Sequence, residues 1–229
     1  METNTVDRVD GMMTSELRIL AELVRTTKAT NVLEIGMANG SSTLAILGEL
    51  KATPDGHLTS IDPFQMKPST PGPGYDGAGL DSVRRAGLAD RHTWIEMLDY
   101  LALPKLAEEG RRFDFIFIDG YHAFDYAMID FFFADLLLQP GGMVLFHDSG
   151  SVAVNRVCQF VAANKPYTPV GPPLALILDS LPKRVARRAY WLASGQDGKF
   201  RDRRARWKSL AAFVKQADGL TKEFVLKGM

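Results

Sequence analysis

Cysteine is almost absent. Cys158 is the only one in 229 residues, so no internal disulfide can form and nothing calls for an oxidising compartment. Long hydrophobic runs are missing too. A membrane helix needs roughly 18 or more apolar residues with few charges, whereas the richest stretch, FFFADLLL at 131–138, is short and contains Asp135. The opening METNTVDRVD lacks the basic-then-apolar layout of a secretory signal. These absences lead to the expectation of a soluble, cytoplasmic chain. Net charge is also absent, with 27 Lys and Arg against 27 Asp and Glu. At 46% hydrophobic and 24% charged, the composition excludes disordered and fibrous classes. The length suits one globular domain with an appendage.

The neutrality conceals a split. Residues 183–227 carry 13 Lys and Arg against four Asp and Glu, which leaves the remainder acidic. The plainer expectation is that this basic segment folds against its own acidic body or against a sister subunit, making a homo-oligomer. Contact with nucleic acid is disfavoured. If it occurred, RDRRARWK at 201–208 would meet phosphates and Trp207 would stack on bases; otherwise this is a solvated helix face with Trp207 docked on the body.

Hydrophobic spacing at 15–28 predicts an amphipathic helix. NVLEI at 31–35 reads as a short buried strand, followed by glycines and a helix over 43–50. The same alternation returns with strands at 57–61, 93–97, 113–118 and 143–146, and helices at 76–86 and 123–138. The last helix is stopped by Gln139-Pro140-Gly141-Gly142. PPLALIL at 172–178 predicts a late strand, and 183–193 and about 200–217 predict basic helices. Strands alternating with helices imply parallel strands joined by right-handed crossovers. The expected architecture is therefore α/β: a doubly wound, Rossmann-like, mostly parallel sheet. An N-terminal helical segment (1–30) precedes the core (31–180), and a basic, mainly helical extension (181–229) follows it.

In such sheets ligands bind beyond the carboxyl ends of the strands. The first core strand runs into Glu34-Ile35-Gly36-Met37-Ala38-Asn39-Gly40-Ser41-Ser42, spaced Glu-x-Gly-x-x-x-Gly. A dinucleotide fingerprint needs glycine where Ala38 stands, and Glu34 would sit badly beside a pyrophosphate. A ligand bearing positive charge suits it better, with its carboxylate against the helix start at Ser41 and Ser42. Asp62 ends the next strand, where an acid commonly accepts from ribose hydroxyls, although Asp-Pro is also a plain turn signal. Asp99 would face an amine or cap a helix.

Farther along, the strands end in Ile118-Asp119-Gly120-Tyr121-His122 and Phe146-His147-Asp148-Ser149. If they are neighbours, Asp119, His147 and Asp148 converge and make a divalent-metal site; they read equally as turn caps and a satisfied core histidine. Adjacent strand residues face opposite ways, so His147 and Asp148 can share an ion only where pairing has ended.

Taken together, VLEIGMANGSST, LTSIDPF, FDFIFIDGYHAFDYAMIDFF and LLLQPGGMVLFHDS resemble class I S-adenosylmethionine-dependent methyltransferases, in the branch of catechol-type and macrolide-sugar O-methyltransferases. The resemblance covers about 15–178. It implies a seven-stranded sheet with an antiparallel final strand. It also implies S-adenosyl-L-methionine held by Glu34, Gly36, Ala38, Gly40, Ser42, Asp62, Asp99 and Asp119. It further implies a divalent metal on Asp119, His147 and Asp148, with His122 where that branch carries its base. Histidine replaces the usual acid at 147, so the ion would be magnesium, manganese or iron. The expected activity is methyl transfer to a hydroxyl of a small molecule of phenol, sugar or natural-product type. Two rivals remain from the residues themselves: an iron-dependent oxygenase using two histidines and a carboxylate, and a non-catalytic cofactor-binding protein acting through its basic extension.

Overall fold

The computed structural model describes residues 8–9, 11–171 and 209–218. A two-strand hairpin, β1 (Arg8–Val9) and β2 (Met12–Met13), turns at Gly11 and leads into α1 (Thr14–Thr26). There follow β3 (Asn31–Ile35), α2 (Ser41–Leu50), β4 (His57–Ile61), α3 (Ala78–Arg85), β5 (His92–Ile95), α4 (Asp99–Glu108), β6 (Phe113–Ile118), α5 (Phe124–Leu137), β7 (Leu138–Phe146), α6 (Val152–Asn164), β8 (Tyr167–Val170) and β9 (Ala211–Lys215). Among the described residues, no helix is long and apolar enough to cross a membrane.

β3 to β9 form one seven-stranded sheet in the order β5-β4-β3-β6-β7-β9-β8. The pairs β3–β4, β3–β6, β4–β5 and β6–β7 are parallel, and β9 runs antiparallel between β7 and β8. The expected Rossmann-like sheet with an antiparallel last strand is therefore present. Strand order reverses between β3 and β6, the switch point at which open α/β sheets bind ligands.

Alternation along each strand builds two cores. Leu33, Ile35, Ile116, Ile118, Val144 and Phe146 face one side and pack with α4, α5 and α6. Val32, Phe115, Phe117 and Leu145 face the other and pack with α1, α2 and α3. Burial on both faces explains the nearly continuous apolar runs NVLEI and FDFIFI, as expected of parallel strands.

One expectation is overturned. The basic stretch expected to be helical through 217 contains strand β9 at Ala211–Lys215, paired on both edges. Its alanines and lysine suit a helix in isolation; the open edges of β7 and β8 override that preference. The late strand expected at 172–178, the helix at 183–193 and the basic run 201–208 lie outside the described residues. The end of the 123–138 helix falls one residue early, and residues 139–142 are taken up in an irregular start to β7 rather than standing as a loop.

Lys215 shows how the basic segment meets the acidic body. Its ammonium is buried and donates to the main-chain oxygens of Asp135 (2.6 Å) and Leu138 (2.8 Å) and to Asp218 Oδ1 (2.6 Å). It thus satisfies carbonyls at the end of α5, where the helix dipole favours a cation. Lys215→Met keeps the volume but orphans these acceptors. It should lower the unfolding free energy by about 3 kcal/mol, measured by urea denaturation; a loss below about 1 kcal/mol would show that water replaces the ammonium.

Candidate active site

The turn after β3 brings the first group of expected residues together. Gly36 has φ +90°, and a Cβ there would overlap the main-chain oxygen of Asp119. Only glycine permits this approach. The amide of Asp119 donates to Ile35 O at 2.8 Å, so the ends of β3 and β6 are tied side by side. Gly40, also left-handed, precedes α2, and a Cβ there would stand 3.1 Å from Gly79 at the start of α3.

Glu34 and Asp62 do not face outward as expected. Glu34 is fully buried and accepts hydroxyl donors from Ser42 (2.6 Å), Thr43 (2.7 Å) and Ser60 (2.6 Å). Even strand residues turn toward α2, so its carboxyl supports the turn from beneath. Asp62, also buried, accepts from the amides of Met37 (3.1 Å), Ala38 (2.9 Å) and Phe64 (2.8 Å). The unpaired N–H groups of a left-handed turn draw the carboxylate inward. Ser42 is held by Glu34 at the start of α2, and Asp99 lies partly exposed at the start of α4. The 67–75 loop folds back on itself and on the turn before it: Gly74 N–H donates to Pro68 O and Tyr75 N–H to Phe64 O.

The second group does converge. His147 Nδ1 lies 2.9 Å from Asp119 Oδ1, and His122 Nε2 lies 3.2 Å from the same oxygen. His122 Nδ1 is 3.0 Å from Asp148 Oδ2, which is 3.8 Å from His147 Nδ1. β7 pairing stops at Phe146, and Asp148 takes φ +49°, so the adjacent His147 and Asp148 reach one place. Ligand atoms of Asp119, His122 and His147 all lie within 4.8 Å of one another, a spacing one metal ion can bridge.

Electrostatics follow from the pairing. Burial would raise Asp119, but hydrogen bonds from His122 and His147 outweigh it and hold its carboxyl below the usual range. Burial would lower His147, yet its hydrogen bonds to Asp119 and Glu16, with Asp148 nearby, hold it up at about 10. The hydrogen bond to Asp119 raises His122, whose side chain is 40% exposed against 8% for His147. His122 is thus the imidazole that a substrate can reach.

Sequence reasoning missed two acids. Glu16, in the first turn of α1, accepts from Met13 N–H at 2.7 Å and stands 3.5 Å from His147 Nε2. A first-turn glutamate looks like ordinary capping, and nothing local links it to residue 147. Asp130 is buried between Ala127, Phe131 and Ala134 on α5. Here there was a signal: a carboxylate inside the helix's apolar stripe.

The family model for "Methyltransferase domain" matches residues 33–149, which includes both halves of this site. The chain belongs to that family. The chain is 28% identical over 142 residues to tapetum-specific methyltransferase 1 of Arabidopsis thaliana, covering 61% of this chain but only 55% of that relative's length. An O-methyltransferase of Bacillus cereus, solved in complex with SAH, superposes with a TM-score of 0.60 at 22% identity, covering 71% of this chain and 76% of the other. TomG of Streptomyces achromogenes, an O-methyltransferase of tomaymycin synthesis solved with SAM, gives 0.58 at 22% identity, covering 69% and 73%. The resemblance read in the sequence is thereby borne out in family and fold. The comparisons favour neither the oxygenase nor the non-catalytic reading.

Burial pushes Glu34 up to about 7 from an ordinary 4.5, against the hydroxyl bonds of Ser42, Ser60 and Thr43. The unfolded chain ionises this group first, so stability is full below about pH 4.5 and falls as pH rises to about 7, by at most about 3 kcal/mol. Glu34→Gln cannot ionise. Its melting temperature should gain on the wild type between pH 5 and pH 8; a difference that stays constant with pH would show that Glu34 is charged in the fold.

Proposed function

We propose that this methyltransferase is an S-adenosylmethionine-dependent O-methyltransferase acting on a hydroxyl of a small molecule, assisted by a divalent ion. The observation that carries this reading is the convergence of Asp119, His122, His147 and Asp148 one strand away from the Gly36–Gly40 turn. The relatives solved with SAH and SAM support the choice of methyl donor.

Cofactor contacts are assigned to Gly36, Ala38 and Gly40 through the close approach of their backbone, to Ser42 with the N-terminus of α2 opposite a carboxylate, and to Asp99 and Asp119 at the adjoining strand ends. Glu34 and Asp62 fix the shape of this turn from below. The donor set also fits a metal. Glu16 stands behind His147 Nε2, so Nδ1 is the atom directed at Asp119 and Asp148, as a carboxylate behind a ligating histidine requires. Asp119, His147 and Asp148 would hold the ion, and its mixed oxygen and nitrogen set admits manganese or iron as well as magnesium. When bound, the donor supplies an electrophilic methyl group on a sulfonium, and the ion supplies Lewis acidity that lowers the pKa of the acceptor hydroxyl.

The chain's own part is orientation and proton transfer. His122 would take the proton of the acceptor hydroxyl, so that its oxygen becomes the nucleophile for the methyl group the donor would supply. Asp119 and Asp148 flank the two ring nitrogens and stabilise the imidazolium that results. Because this pairing raises His122 above its ordinary 6.5, turnover should climb with pH to a midpoint above 6.5 and level off on the alkaline side.

Replacement of His122 by Ala should cut turnover by about 100-fold or more while leaving manganese binding intact by calorimetry. Asp119→Asn should lose both. If His122→Ala abolished ion binding, His122 would be a ligand rather than the base. Full activity in the presence of a chelator would refute metal assistance.

A further inference from the structure

Asp130 is 1% exposed, and among the described residues no hydroxyl, amide or ammonium donor reaches either of its oxygens. A bare carboxylate in that position would be costly. The polar group that stands beside it is a second acid, Asp99. The two carboxyls meet beside Gly120, just past β6: a Cβ there would stand 3.3 Å from Asp130 Oδ2 and 3.6 Å from Asp99 Oδ2. Burial, followed by the charge and hydrogen bond of Asp99, raises Asp130 to about 8. A carboxyl raised in this way retains its proton at neutral pH, and Asp99 is the acceptor that stands beside it at Gly120. Asp99 also accepts from the Tyr100 amide at 2.7 Å. It is the partly exposed member of the pair, fixed by donors on its inner side with acceptor capacity remaining on the outer one.

We propose that Asp130 is a positioning residue: its carboxyl proton locks the Asp99 carboxylate at the rim of the crevice, where Asp99 accepts the exocyclic amine of the cofactor's adenine. Asp130 itself touches no ligand. The proposal rests on the S-adenosylmethionine reading above and adds a device for recognising the base. An acid that must accept an N–H is orientable only if one of its oxygens is pinned, and in this apolar surrounding a protonated carboxyl is a donor of the right size. A Cβ at 120 would already press on Asp130 Oδ2, so a larger residue there crowds the two acids.

The test is calorimetric binding of S-adenosylhomocysteine and S-inosylhomocysteine to the full chain. The second ligand carries a carbonyl where the first carries the amine. Wild type and Asp130→Asn, whose amide can still donate to Asp99, should prefer the adenosyl ligand by about tenfold or more. Asp130→Leu, which fills the space without a donor, should lose that preference. Equal weakening of both ligands in Asp130→Leu would reduce Asp130 to packing and overturn the proposal, as would loss of preference in Asp130→Asn. If Asp130→Leu fails to fold, Asp99→Asn takes its place: it should abolish the preference that Asp130→Asn retains, and retention in both overturns the idea. A wild type that binds both thioethers equally refutes the contact between Asp99 and the amine while the methyl-donor reading stands. A wild type that binds neither refutes that reading, and this inference with it.

Discussion

The site depends on one main-chain approach. Gly36 passes so close to the carbonyl of Asp119 that a methyl group would overlap it, and the Asp119 amide is bonded to Ile35 O. This contact joins the turn of the first parallel strand to the end of its neighbour. The turn assigned to the cofactor lies on one side of it and the acid–histidine cluster on the other, with Asp119 at the seam assigned to both. A side chain at 36 would separate the two, and the left-handed φ there adds a second reason for glycine.

Around that junction, charge is balanced in pairs instead of by solvent. Three acids, Glu16, Asp119 and Asp148, surround two imidazoles, and each ring nitrogen faces a carboxylate. Such groups titrate as a set, so the cluster is best regarded as one polar unit. The unit draws on α1, β6 with the turn after it, and the residues after β7. The N-terminal helix is therefore part of the site's electrostatics, through Glu16, and not only a flank to the core.

Carboxyls that are buried or partly buried recur in this fold with different solutions. Glu34 is met by three hydroxyls, Asp62 by main-chain amides, Asp135 by Lys165 (2.7 Å) and the Tyr167 hydroxyl (2.9 Å). Asp130 alone of these is met by another acid. At Glu34 and Asp130 burial outweighs every other influence and lifts the carboxyl toward neutrality.

The sequence by itself determined the alternating strands and helices, because burial on both faces leaves apolar runs that turn residues punctuate. It also marked the Glu34–Gly40 turn and the acids and histidines at 119, 122, 147 and 148, since strand ends are readable and polar residues there stand out. Tertiary structure decided which way these groups point. Glu34 and Asp62 turn inward because hydroxyls and amides from elsewhere in the chain reach them. Ala211–Lys215 is a strand because two strand edges, one of them β7 some 65 residues earlier in the chain, need a partner. Glu16 is brought against His147, and Asp130 beside Asp99 at Gly120, only by the fold. Local pattern reports the preference of a segment, whereas hydrogen-bond and charge partners are set by what the folded chain brings alongside.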